Sequence, residues 1–120
     1  MSHLVLVVDD DEAIREALRE VIGMFEYNVI TASDGNEALR ILQATIGRER
    51  PCVILLDLMM PIMNGWDFLK NMQEDNRLSN IPVIVLSASE RKNIPQGVVF
   101  LSKPIDLDRL IDGIKEFCPI

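Results

Sequence analysis

Four short apolar runs in this chain each end on residues able to handle a metal ion or a phosphoryl group. Leu4-Val5-Leu6-Val7-Val8 runs into Asp9-Asp10, and Val53-Ile54-Leu55-Leu56 into Asp57. Val83-Ile84-Val85-Leu86 runs into Ser87, and Val98-Val99-Phe100-Leu101 is followed by Ser102 and Lys103. Runs this short and this rich in Val and Ile, spaced by helix-like segments, read as buried parallel strands. In a parallel sheet all strand C-termini lie along one edge, which is where open α/β sheets bind ligands. Three carboxylates, a hydroxyl and an ammonium are therefore expected to meet at one place.

The segments between the runs carry helix signals. Ile14, Ala17, Leu18, Val21, Ile22 and Phe25 have the spacing of an amphipathic helix. A second strand is expected at Asn28 to Ala32. The second helix opens after Asp34, with Glu37 at capping-box spacing and Ala38, Leu39, Leu42 and Ile46 on its apolar face. Behind the strand at Cys52 to Leu56, Pro61 and Gly65 punctuate the loop, and Gly65 marks a backbone position that other residues fit poorly. Phe68, Leu69 and Met72 follow on a third helix. A last helix carries Leu107, Leu110, Ile111, Ile114, Phe117 and Cys118 on one face, with Asp106 as N-cap. Between Ser87 and the fifth strand, Pro95 and Gly97 oppose a helix, so the fourth helix is shortened or absent.

The result is one α/β domain over residues 1–120, strand alternating with helix, without repeats or linkers. A net charge of −7 disfavours nucleic acid and anionic membrane as direct partners. No leader-like n-region opens the sequence and no apolar run is long enough to span a bilayer, so a cytoplasmic location is expected. Cys52 and Cys118 are not in a C-x-x-C pair and are read as two buried free thiols. His3, the lone histidine, is read as structurally neutral.

Mg²⁺ takes oxygen ligands and usually one or two carboxylates, which Asp9 or Asp10 together with Asp57 would supply. A carboxylate can itself be the nucleophile of phosphoryl transfer, and Asp57 is the sole acid at the end of a central strand. Lys103 suits a phosphoryl oxygen as a point charge, and Ser87 can donate a hydrogen bond to another.

Val7-Val8-Asp9-Asp10-Asp11, Leu56-Asp57-Leu58-Met59-Met60-Pro61-Ile62-Met63-Asn64-Gly65, Leu86-Ser87-Ala88 and Ser102-Lys103-Pro104 resemble the receiver domain of two-component response regulators. Ala32-Ser33-Asp34-Gly35-Asn36-Glu37-Ala38-Leu39 resembles its second strand-to-helix junction. The resemblance spans essentially the whole chain. It implies a doubly wound (βα)5 fold with a five-stranded parallel sheet in the order 2-1-3-4-5. It implies Asp57 as phosphoacceptor, with Asp9, Asp10, Asp57 and the Met59 carbonyl around Mg²⁺. Ser87 and Lys103 would contact the phosphoryl group, Ser87 and Phe100 would form the switch, and Lys103-Pro104 would be cis. The donor would be a histidine kinase or histidine phosphotransfer protein, and the output a downstream protein partner or output domain. Such a module is no enzyme beyond catalysing its own phosphorylation and dephosphorylation.

Two features depart from the family pattern. Lys103 follows Ser87 by sixteen positions, an interval shorter than usual by about one and a half helical turns. Glu26 stands where the family has Gly before an aromatic, and a left-handed Glu would cost about 1 kcal/mol, so a different turn is expected.

Three other readings fit less of the sequence. A receiver-like docking module that is not phosphorylated would not need the full acceptor set. An aspartyl-phosphate phosphatase of the haloacid dehalogenase type would need Asp-x-Asp-x-Thr/Val, but Ala13 occupies the last place. A flavodoxin would need a hydroxyl- and Gly-rich phosphate loop where Asp9-Asp10-Asp11-Glu12 stands.

Overall fold

The computed structural model describes residues 3–45, 49–58, 64–87 and 98–119. The strands are β1 (Leu4–Val8), β2 (Asn28–Ala32), β3 (Val53–Asp57), β4 (Val83–Ser87) and β5 (Val99–Ser102). They pair in parallel in the order β2-β1-β3-β4-β5, as the resemblance implies. The helices among the described residues are α1 (Glu12–Gly23), α2 (Gly35–Ala44), α3 (Gly65–Glu74) and α4 (Leu107–Phe117). Residues 88–97, where the shortened fourth helix is expected, lie outside the described residues, as do Ile46 and Met59.

Alternation along the strands divides the core into two layers. Leu6, Val8, Ile54, Leu56, Val83 and Val85 face α2 and α3, meeting Leu42, Phe68, Leu69 and Met72. Val5, Val7, Val53, Leu55, Ile84 and Leu86 face α1 and α4, meeting Leu18, Ile22, Leu110, Ile111 and Ile114. Central β3 and β4 are buried throughout, because helices cover both faces.

Each helix begins at a side-chain cap. Asp11 accepts from the Ala13 and Ile14 amides, Asp34 from Glu37, Asn64 from Asp67, and Asp106 from Asp108 and Arg109. Each such cap contributes about 1 kcal/mol. The Glu37 carboxylate reaches the Ser33 hydroxyl at 2.8 Å, one residue before the cap.

The structure corrects three sequence readings. The buried stripe of α1 is Leu18 and Ile22, while Ala17 is exposed and Phe25 lies past the helix end, 39% exposed. Glu26 does adopt the left-handed conformation, at φ 71°. Its amide donates to the Gly23 carbonyl at 3.2 Å, and the next residue, Tyr27, is buried with its hydroxyl donating to the Cys118 carbonyl at 2.7 Å. Those flanking contacts hold the turn against the local cost.

The third correction is the cysteines: Cys52 and Cys118 are joined in a disulfide, not free. Cys52 sits at the entrance to β3, and Cys118 is the C-cap of α4. The return helix brings its C-terminus back to the N-terminal edge of the sheet. There the two Cα atoms lie 5.6 Å apart, within bonding range, although 66 residues separate them in sequence.

Candidate functional site

Register carries four side chains to the same edge. Val8 pairs with Leu56, so Asp9 emerges beside Asp57, the last residue of β3. Asp57 pairs with Leu86, one residue before Ser87 at the end of β4. Ser87 pairs with Ser102, and the next amide, Lys103 N–H, donates to the Ser87 carbonyl at 2.9 Å. Lys103–Pro104 is cis, as expected.

Three carboxylates gather there. One oxygen from each of Asp9, Asp10 and Asp57 lies within 4.8 Å of the others. Asp9 is 2% and Asp57 6% exposed, whereas Asp10 is on the surface. The Lys103 ammonium stands 3.6 Å from Asp9 Oδ2 and 3.7 Å from Asp57 Oδ2. Because β4 lies between β5 and β3, the lysine stem crosses the end of β4, where the buried Ser87 sits.

Asp9 Oδ1 accepts the Asp11 amide at 2.9 Å, while the buried Oδ2 has no hydrogen-bond partner among the described residues. Burial pushes the Asp9 carboxyl above the ordinary carboxylate range; the Asp11 amide opposes this, Asp57 and Asp10 add to it, and Lys103 offsets part. A raised carboxyl favours folding when protonated, and that contribution is lost as pH rises through the folded value. With Asp9 ionised, that contribution is gone. A buried carboxylate oxygen with no hydrogen bond among the described residues, offset only by Lys103 at 3.6 Å and set beside two further carboxylates, belongs to a donor set that fits a hard divalent cation.

Gly65 packs against the backbone at the end of β3. A Cβ there would stand 2.6 Å from Leu58 Cα and 2.8 Å from the Asp57 carbonyl oxygen. The Gly65 amide donates to the Leu58 carbonyl at 3.0 Å, so α3 begins directly against the end of β3. This is the close approach that the sequence signalled.

Phe100 lies on β5 and is half-buried against the α2–α3 core layer. With Leu101, Ser102, Pro104, Asp106 and Arg109 it lines a cleft of about 290 Å³. The structure thus brings together Asp9, Asp10, Asp57 and Lys103, with Ser87 at the same edge. It sets Phe100 in the strand leading to Lys103, and the Met59 carbonyl falls outside the described residues. Sequence reasoning passed over Arg15, whose guanidinium donates to the Asp9 carbonyl at 2.7 Å.

The fold and this edge define a flavodoxin-like α/β module with an acidic site at the carboxyl ends of its strands. Residues 5–115 match the model of the response regulator receiver domain. The chain is 32% identical over 126 residues to sporulation initiation phosphotransferase F of Bacillus subtilis, covering 100% of this chain and 97% of that protein. It is 33% identical over 119 residues to response regulator MprA of Mycobacterium leprae, covering 92% of this chain and 49% of that protein. A response regulator receiver protein from Pseudomonas putida superposes with a TM-score of 0.87 at 28% identity, covering 97% of this chain and 98% of that one. The chain belongs to the receiver domain family of two-component response regulators.

Proposed function

We propose that Asp57 is the phosphoacceptor of this receiver and that it takes its phosphoryl group from a histidine kinase or histidine phosphotransfer protein. The observation that carries this reading is the convergence of Asp9, Asp10 and Asp57 within 4.8 Å, with Lys103 3.7 Å from Asp57. One Asp57 carboxylate oxygen attacks phosphorus, the new O–P bond forms, and the bond to the donor nitrogen breaks with its electron pair leaving on the donor. The product is an acyl phosphate. Lys103 and Ser87 hold phosphoryl oxygens, and the Lys103 contacts to Asp9 and Asp57 keep the ammonium at the point where charge arrives. Asp9, Asp10 and Asp57, with the Met59 carbonyl, would hold Mg²⁺, which when bound supplies charge neutralisation at those oxygens.

On this reading the protein is a signalling module, chemically active only on its own acyl phosphate, and residues 1–120 act as a single receiver domain. The added charge of about −1.5 to −2 draws on Ser87 and Lys103, and β5, which carries Phe100, conveys the change to a protein partner or output domain. No helix among the described residues is long and apolar enough to cross a membrane. The expectation of no direct nucleic-acid or membrane partner belongs to this proposal, as does that of a cytoplasmic setting, where the Cys52–Cys118 disulfide would be an exception to the usual reduced thiols.

The test is phosphoryl uptake from a small phosphodonor. The wild type should take up one phosphoryl group with Mg²⁺ and essentially none with chelator. Asp57→Asn should take up none, and labelling of that variant at the wild-type level would defeat the assignment.

A further inference from the structure

We propose that Arg15 is a positioning residue that fixes the Asp9–Asp10 turn for cation binding, through the hydrogen bond from its guanidinium to the Asp9 main-chain carbonyl. The inference rests on the reading of the acidic site given above. Asp9 has four polar atoms. Its amide donates to the Ala32 carbonyl at 3.1 Å, extending the β1–β2 ladder by one residue. Its Oδ1 accepts the Asp11 amide at 2.9 Å. Its carbonyl accepts Arg15 Nη1 at 2.7 Å. Among the described residues Oδ2 alone lacks a hydrogen bond. The protein thus holds the amide, the carbonyl and Oδ1 of Asp9 by hydrogen bonds and leaves Oδ2 to electrostatic contact, with Lys103 at 3.6 Å; among the described residues Arg15 supplies the one hydrogen bond to Asp9 that comes from another residue's side chain.

Local helix physics does not call for this cation. Arg15 closes the first turn of α1, where the macrodipole favours acids, and Asp11 and Glu12 already serve that end. The Arg15 amide also donates to the Asp11 carbonyl at 3.0 Å. Backbone and side chain of one residue therefore grip both ends of the Asp9–Asp11 turn, with Asp10 in its middle. A buried carbonyl that lost this charged donor would seek another, and the turn would shift. Partners one step removed from a metal orient the ligands, and losing one typically weakens the metal by 10-fold or more.

The test titrates Mg²⁺ calorimetrically into the full chain as wild type, Arg15→Met and Arg15→Lys, alongside unfolding in chelator. Arg15→Met should bind Mg²⁺ roughly 10-fold more weakly. Arg15→Lys, which keeps a charged donor, should recover part of the affinity. Phosphoryl uptake by Arg15→Met should return to the wild-type rate at saturating Mg²⁺. A merely structural role would lower the unfolding midpoint in chelator yet leave the Mg²⁺ affinity of the folded protein unchanged, and that result overturns the proposal. Should Arg15→Met fail to fold, Arg15→Gln provides the same comparison with a neutral donor. A wild type that binds no Mg²⁺ overturns the reading of the site and this inference with it. A wild type that binds Mg²⁺ no better than Arg15→Met overturns this inference alone.

Discussion

Asp9 shows how much of this site is decided by single atoms. Its side chain is almost wholly buried, one oxygen is held by the Asp11 amide, and the other faces the Lys103 ammonium at 3.6 Å. Such a group is costly unless a cation completes it. Gly65 is the counterpart on the other side of Asp57. Leu58 Cα and the Asp57 carbonyl oxygen lie under 3 Å from where an added Cβ would stand, so no alanine fits without moving the backbone that carries the acceptor. Gly65→Ala should lower stability by about 1–3 kcal/mol, since overpacking outweighs the gain in helix propensity of about 1 kcal/mol. Chemical denaturation in chelator checks this, and an unchanged or raised midpoint would show that the contact is soft.

The secondary-structure elements were legible where a local signal carried them. Strand-end residues could be placed because each apolar run stops on a polar group, and the starts of α2 and α4 because Asp34 and Asp106 cap the amides that follow. What escaped depends on contacts between distant elements. The conformation of Glu26 is held by the packing of Tyr27 against the end of α4, which no window of sequence around residue 26 reveals. Arg15 reads as one more charge on an exposed helix until β1 and α1 are set side by side. Cys52 and Cys118 are neighbours only because α4 runs back along the sheet, so spacing alone could not pair them. A loop of this length, closed by a disulfide, stabilises a fold by about 4 kcal/mol through the unfolded chain. Reduction, or Cys118→Ser, should therefore lower the denaturation midpoint markedly. Two titratable thiols in protein purified without reductant, or equal stability with and without reductant, would contradict the pairing.

For the molecule as a whole, the parallel sheet does two jobs at opposite edges. At the N-terminal edge, the disulfide and the Tyr27–Cys118 hydrogen bond tie α4 to β3 and to the turn before β2. At the C-terminal edge, β1, β3, β4 and β5 deliver Asp9, Asp57, Ser87 and Lys103 to one place. The central claim is that Asp57 becomes an acyl phosphate there. Reductive trapping reads this directly: borohydride converts an aspartyl phosphate to homoserine, which peptide mapping places in the chain. After phosphodonor and Mg²⁺, homoserine should appear at position 57 and nowhere else, and should be absent when chelator replaces Mg²⁺. Homoserine at Asp9 or Asp10, or a phosphoryl group retained on an untrapped residue while Asp57 stays intact, would contradict the account.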